Sequence, residues 1–436
     1  MFQQRNSPDR KIDNLEMNDE FLDAFEAMEN TRKHVFITGK AGTGKSTLLK
    51  YFKDYTKKNT VVLAPTGVAA INVHGQTVHS FFGFPPRFIQ KSAIRWTRNK
   101  EIIQRLDTIV IDEVSMLRAD IMDGIDHVLK NIRGVDEPFG GVQMIFFGDL
   151  FQLAPVIERA VLEIMRDKYE SPYFFDSEAY SLISPRYIEL TKIYRQVDKA
   201  FVEILNRVRR HEETEKDMAR LNENQIDRIP DNLNGAVVLT STNDLAAGIN
   251  RARLAKLRNQ EHIYEAAIDG EFDDNFFATD RMLRLKIGAQ VMMMRNDPDK
   301  RWVNGTIGEV AELSGGAVKV RIEGSVYEVE QVGWEKIRYE YNRLEDKIEE
   351  QVVGTFKQYP LKLAWAITIH KSQGQTFDDI IIDLGFGAFA HGQVYVALSR
   401  CTSLAGVRLM KRIRSEDIIF DERIYNFAGR FPRELF

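Results

Sequence analysis

The chain has 436 residues, 44% of them hydrophobic and 28% charged, an ordinary globular balance over a length that implies roughly two to four domains. Its one cysteine, Cys401, rules out an internal disulfide and a cysteine-based zinc site. No apolar run is long enough to cross a membrane, Met1 to Asp13 carries no signal-peptide core, and an intracellular setting is expected. With 60 Lys+Arg against 64 Asp+Glu the net charge is −4, which argues against a protein that coats nucleic acid non-specifically; any such contact must be a local groove.

Asn18 to Met28 places Phe21, Leu22, Phe25 and Met28 on one helical face, with Asn18 as N-cap. His34 to Thr38 then reads as a buried parallel strand, and Gly39-Lys40-Ala41-Gly42-Thr43-Gly44-Lys45-Ser46-Thr47 after it matches the phosphate-binding loop G-x-x-x-x-G-K-[ST]. Glycines let backbone N–H groups approach phosphate oxygens, and the helix that follows adds unpaired donors at its N-terminus. Gly42, Thr43, Gly44 and Thr47 are the cradle, Lys45 the charge on the β- and γ-phosphates, and Ser46 the hydroxyl for Mg²⁺.

Thr60 to Ala64 is the next strand. Its following loop carries Asn72, His74, Gly75, Gln76, Thr77 and His79, polar enough for either a solvated connection or a site. Arg87 to Arg105 is locally basic, with Glu101 its one acid, and reads equally as a solvated face or a nucleic-acid contact. The strand Leu106 to Ile111 runs into Asp112 and Glu113: downstream of a phosphate loop, Asp112 is expected to hold Mg²⁺ through water and Glu113 to polarise the attacking water. Val142 to Phe147 ends in Gly148-Asp149-Leu150-Phe151-Gln152, again delivering polar groups to the edge where open α/β sheets bind ligands.

The pattern repeats without a second phosphate loop. Tyr187 to Leu190 and Ala236 to Thr240 read as strands of a second α/β unit, with a helix from Ala200 to Arg210 between them and a mixed-charge surface from His211 to Asn224. From Asp297 to about Gly354 the chain changes to short alternating segments separated by turns, a small β-barrel inserted in that unit, which resumes with Leu361 to Ile369 and Ile380 to Ile382.

Thr368-Ile369-His370-Lys371-Ser372-Gln373-Gly374-Gln375-Thr376 and Tyr395-Val396-Ala397-Leu398-Ser399-Arg400 resemble motifs of superfamily 1 helicases. Ala64 to Ala70, Gln76 to Phe82, Glu113-Val114-Ser115-Met116 leading to Pro138-Phe139-Gly140-Gly141, Gly148 to Val156 and Tyr194-Arg195-Gln196 are similar to the Pif (petite integration frequency) family in the RecD-like branch. The resemblance covers roughly Leu15 to Leu404 and implies two RecA-like parallel-sheet domains: residues 1–184, with a small β-hairpin/helical insertion near 66–105 at the DNA junction, and residues 185–296 with 355–436. It further implies an SH3-like barrel at 297–354 seated over the second domain, in a chain that looks like a minimal core.

That resemblance implies a 5′→3′ DNA helicase using ATP and Mg²⁺ on single-stranded and tailed duplex DNA, with guanine quadruplexes as a further substrate, acting as a monomer without a required protein partner. Gln152 then resembles the γ-phosphate sensor, Arg195 and Arg400 two arginine fingers from the second domain, and Gly374 and Gln375 a γ-phosphate contact. Thr66, Val68, Asn72, His74 and His79 on the first domain, with Thr240, Asn243, Thr368, His370 and Lys371 on the second, match positions that grip single-stranded DNA. The family's adenine-reading glutamine has no counterpart between Gln4 and Gln76, and Asn18 is the candidate substitute. Two other readings stay open: an RNA- or hybrid-directed translocase, and an ATP-gated DNA-binding switch that does not walk. Trp302, Trp334, Trp365 and Met292-Met293-Met294 read as core, and the remaining histidines share no metal-ligand spacing.

Overall fold

In the computed structural model, residues 18–91, 94, 97–192, 194, 198–314, 316–385, 387–388 and 390–429 are described. Arg195, Gln196, Arg95 and Trp96, singled out above, lie outside these residues.

Helix α1 (Asp19–Glu29) leads into β1 (Val35–Gly39), the phosphate loop and α2 (Lys45–Tyr55). Then come β2 (Thr60–Ala64), α3 (Gly67–Asn72), β3 (Gln76–Thr77), α4 (Val78–Phe82), β4 (Thr108–Ile111), β5 (Gln143–Phe147) and β6 (Arg186–Leu190). The six strands form one wholly parallel sheet in the order β3-β2-β4-β5-β1-β6. Every residue of β1, β4 and β5 is buried, because helices cover both faces. The two-residue period of a strand sorts them: Val35 and Ile37 join one core with Val62, Val110 and Phe147, while Phe36 joins the other with Val61, Ile109 and Phe146. Parallel pairing puts all the C-terminal strand ends at one edge, so the phosphate loop, Asp112-Glu113 and Gly148 to Gln152 arrive together.

The second parallel sheet is built from Ala366–Thr368, Val237–Thr240, Ile380–Asp383 and Val407–Leu409, in that order. Val237, Leu239, Ile380 and Ile382 face a core shared with the helix Lys199–Arg210; Val238 and Ile381 face the inserted strands.

Four expectations are corrected. Tyr187 to Leu190 does not open the second unit: β6 pairs with β1 over five residues, Val35↔Arg186 to Gly39↔Leu190, so the boundary expected at 184/185 falls before the last strand of the first sheet. The 66–105 insertion contains no hairpin among the described residues: its strand β3 pairs parallel to β2, and the rest is short helices. His211 to Asn224 is not all solvated surface, since Thr214 and Asp217 form a capping box on the helix Glu215–Leu221 and Asp217 takes two 2.7 Å hydrogen bonds from Arg207.

The inserted strands also recruit neighbours from outside 297–354. Ile307–Ser314, Ala317–Ile322 and Ser325–Val329 make a five-stranded sheet with Gln290–Met293 and Leu361–Leu363, and the hairpin Val332–Asn342/Lys347–Gln358 pairs with Ala267–Gly270. The five-stranded sheet shares a core with the second domain, but the hairpin crosses to the first. There Ile337 and Tyr339 enter the first-domain core, Tyr339 Oη accepts from Val62 N at 3.0 Å, and Arg343 pairs with Glu101 at 2.7 Å.

Within the basic stretch, Lys91 is bridged to Glu178 at 2.6 Å and Arg105 to Asp346 at 3.4 Å, so two of its six cations are paired within the protein. Trp302, Trp334 and Trp365 are buried, as are Met292 and Met293.

Candidate nucleotide site and nucleic-acid track

The phosphate loop bends through left-handed glycines, Gly42 at φ +84° and Gly44 at φ +89°. A Cβ on Gly44 would stand 2.9 Å from Phe21 Cζ, so α1 packs directly over the loop and glycine is required twice over. Thr43 is buried, with its hydroxyl donating to Lys40 O at 2.9 Å. Lys45 opens α2, and its ammonium donates to Gly39 O at 2.5 Å and Lys40 O at 3.1 Å. Burial lowers its pKa, and the charges of Asp149, Glu113 and Asp112 oppose that shift. Ser46 is exposed at the first turn of α2, and Thr47 is half-buried behind it.

Asp112 and Glu113 leave β4 towards the loop. Burial, then the Glu113 charge, pushes the Asp112 carboxyl well above the usual range. Glu113 is also raised by burial, with Lys45 and Arg400 pulling the other way. Its backbone sits at φ +50°, ψ +43°, a left-handed conformation uncommon outside glycine, costing on the order of 1–3 kcal/mol. The turn after β5 brings Gln152, whose Nε2 donates to Asp149 Oδ2 at 3.2 Å, while Gly148 backs against Val114.

From the second domain, Arg400 is 1% exposed. Its Nε donates to Val396 O at 2.9 Å and its Nη2 to Ser399 Oγ at 2.7 Å, and Nη1 lies 3.4 and 3.5 Å from the carbonyls of Ser372 and Gln375. That ties the guanidinium to the Gly374-Gln375 turn, where Gly374 has φ +78° and the buried Gln375 Oε1 has no partner among the described residues. Tyr395, from the helix just before Arg400, lies with its hydroxyl 3.4 Å from Ala41 N in the phosphate loop.

The donor set suits Mg²⁺. Among the described residues no cluster of three or more His, Cys, Asp or Glu could cage a metal. A single hydroxyl and a single carboxylate at the edge of a phosphate loop are what Mg²⁺ uses when phosphates and water complete its shell. Mutually repelling, desolvated carboxyls at 112 and 113 would be relieved by a divalent charge.

The nucleic-acid candidates fall in two groups. Thr66 caps α3 through its hydroxyl, with Val68 and Asn72 exposed along that helix, and His74 is exposed at φ +47° beyond it. His79 is half-buried on α4, its pKa lowered by burial. In the second domain Thr368 and Thr240 are register partners at the sheet's C-terminal edge. Thr240 is fully buried and its hydroxyl donates to the carbonyls of Thr242 and Ile367, a scaffolding arrangement. Thr368 Oγ1 accepts from Lys371 N, His370 and Lys371 have pKa values lowered by burial, and Asn243 is exposed at the start of its helix. Asn18 lies at the head of α1, its Oδ1 accepting from Phe21 N at 2.9 Å.

Asp149 and Tyr395 were named from sequence only as members of their motifs, with no role, and Arg209 was not named at all. Arg209 had a visible signal: it lies eight residues after Phe201, on the apolar face with Leu205 and Val208, where a charge must find a buried partner.

A phosphate-loop sheet met at its edge by a second parallel-sheet domain defines a two-domain P-loop NTPase. A family model described as PIF1-like helicase matches residues 16–218, and one described as the 2B domain of DNA helicase Pif1 matches residues 272–313. The chain is 32% identical to the ATP-dependent DNA helicase Pif1 of Bdellovibrio bacteriovorus, over 96% of this chain and 93% of that one. It is 33% identical to the ATP-dependent DNA helicase PIF1 of Danio rerio, over 92% of this chain but 65% of the relative, so it spans under two thirds of that longer protein. The crystal structure of Bacteroides sp. Pif1 with ADP-AlF4 superposes with a TM-score of 0.88 at 35% identity, covering 96% and 97% of the two chains. The same protein bound to single-stranded DNA gives 0.68 at 36% identity over the same shares. The chain belongs to the PIF1-like helicase family.

Proposed function

We propose that this chain is an ATP-dependent DNA helicase that walks 5′→3′ on single-stranded DNA and separates the duplex ahead. One observation carries the reading: the second domain meets the edge of the phosphate loop, with Tyr395 Oη 3.4 Å from Ala41 N, and the half-buried Glu113 feels the charges of both Lys45 of its own domain and Arg400 of the other. A site completed only when two domains meet converts nucleotide binding and loss into relative domain motion. Domains that grip one strand at different points then shift along it once per cycle.

In this reading Lys45 and the Gly42-to-Thr47 cradle hold the triphosphate, Glu113 takes a proton from the attacking water, and Gln152, Arg195 and Arg400 meet the charge on the transferred phosphoryl group. Ser46 and Asp112 would hold Mg²⁺, which supplies charge neutralisation at the β- and γ-phosphates. Asn18 offers the base an amide whose oxygen already caps α1, so selection of adenine over guanine is weak. Thr66, Val68, Asn72, His74 and His79 grip from the first domain, and Asn243, Thr368, His370 and Lys371 from the second, with Thr240 shaping the edge beneath them. Hydroxyl, amide and imidazole contacts suit a grip released at every step. The insertion at 297–354, read as an SH3-like barrel, helps enclose the strand. The working unit is a monomer inside the cell, and guanine quadruplexes beyond a 5′ tail are further substrates.

Steady-state hydrolysis with and without single strands tests the motor reading. ATP turnover should rise at least tenfold or so with single-stranded DNA, as expected when a strand helps close the catalytic cleft. Binding of DNA without stimulated turnover would instead mark a switch, and stimulation by RNA alone a different track.

A further inference from the structure

The second domain reaches the edge of the first sheet through a further charged group. Arg209, near the end of the helix Lys199–Arg210, is 4% exposed, and its Nη2 donates to Asp149 Oδ1 at 3.0 Å. Its guanidinium carbon lies 4.3 Å from the centre of the Phe151 ring. Asp149 is fully buried: its Oδ1 also accepts from Phe151 N, and its Oδ2 from Gln152 Nε2, both at 3.2 Å. Residues 149–152 are thus one turn whose carboxylate is held from outside, by a helix whose Phe201, Ile204, Leu205 and Val208 lie in the second-domain core. Gly392 seals the other flank, where a Cβ would stand 2.5 Å from both Phe151 O and Gln152 O.

Two charges that meet across a domain boundary differ from a pair inside one domain. Held together and dry they neutralise each other's charge, and when the domains part both return to water. Removing one partner while the other stays buried is strongly unfavourable. Asp149 therefore has its full set of hydrogen bonds only when the second domain is in place, and the aim of the Gln152 amide follows Asp149.

We propose that Arg209 is a positioning residue that, when the domains approach, fixes Asp149 and through it points the Gln152 side chain at the γ-phosphate. The proposal rests on the reading of Gln152 as the γ-phosphate sensor. It makes Arg209 a coupling between domain closure and sensing, with no contact of its own to the nucleotide.

The test is a double-mutant cycle on DNA-stimulated ATP turnover, with ATP-analogue binding followed by fluorescence. Arg209→Ala should lower kcat by about 10²-fold, the size of effect expected from a misaimed catalytic group, while nucleotide affinity holds. Arg209→Lys keeps the charge but loses the planar stack on Phe151, and should fall about tenfold. In a Gln152→Ala background neither change should cost anything more, because the residue being aimed is gone. If the Ala variant does not fold, the Lys variant carries the same cycle. Losses that multiply, or parental turnover in the Arg209 variants, would overturn the role of Arg209 alone. Parental turnover in Gln152→Ala would instead remove the sensor reading and this coupling with it.

Discussion

Glu113→Gln should bind Mg·ATP as well as the parent and hydrolyse it about 10²–10⁴-fold more slowly, the range attributed to a positioned general base. The substitution keeps size and removes the charge that accepts the water's proton. Burial raises the Glu113 pKa, and the charges of Lys45 and Arg400 oppose that shift. Its backbone is left-handed, a conformation uncommon outside glycine. Rapid-quench turnover beside equilibrium nucleotide binding separates the two effects. Parental hydrolysis by Glu113→Gln would assign the base elsewhere.

Arg400→Ala is expected to have the larger effect. An arginine finger is worth about 10³–10⁵ in rate, or roughly 4–7 kcal/mol of barrier at about 1.36 kcal/mol per decade. Arg400 is almost wholly buried, and its nitrogens face Val396, Ser399, Ser372 and Gln375, which braces the guanidinium against the Gly374-Gln375 turn. Arg400→Lys should recover little, since a point charge cannot reproduce that planar bracing. The measurement is kcat against ATP affinity on folded protein. A large loss of affinity with normal turnover would make Arg400 a ground-state contact.

The catalytic edge was legible because its parts are local. The phosphate loop, the acids after β4 and the turn after β5 each follow an apolar strand, and parallel pairing brings strand ends together without further information. What escaped was long-range. Tyr187 to Leu190 is an unremarkable buried strand, and only its pairing with β1 shows which sheet it completes. The hairpin Val332–Gln358 alternates as an inserted sheet should, but nothing local reveals that Ile337 and Tyr339 lie in the first-domain core. Thr240 was expected among the residues that grip the strand, yet its hydroxyl is committed to two carbonyls at the sheet edge. Arg209 could have been noticed as a charge on an apolar helix face; its partner, Asp149, lies 60 residues earlier in another domain.

Direction of travel tests the central claim most directly, because it requires nucleotide hydrolysis, a single-strand grip and two domains acting in a fixed order. The measurement is strand separation, by fluorescence, of a duplex carrying a 5′ tail, a 3′ tail or no tail, with ATP and Mg²⁺. The account predicts unwinding from the 5′ tail, none from the 3′-tailed or blunt duplex, and loss of unwinding in Glu113→Gln. Unwinding from the 3′ tail and none from the 5′ tail would contradict it.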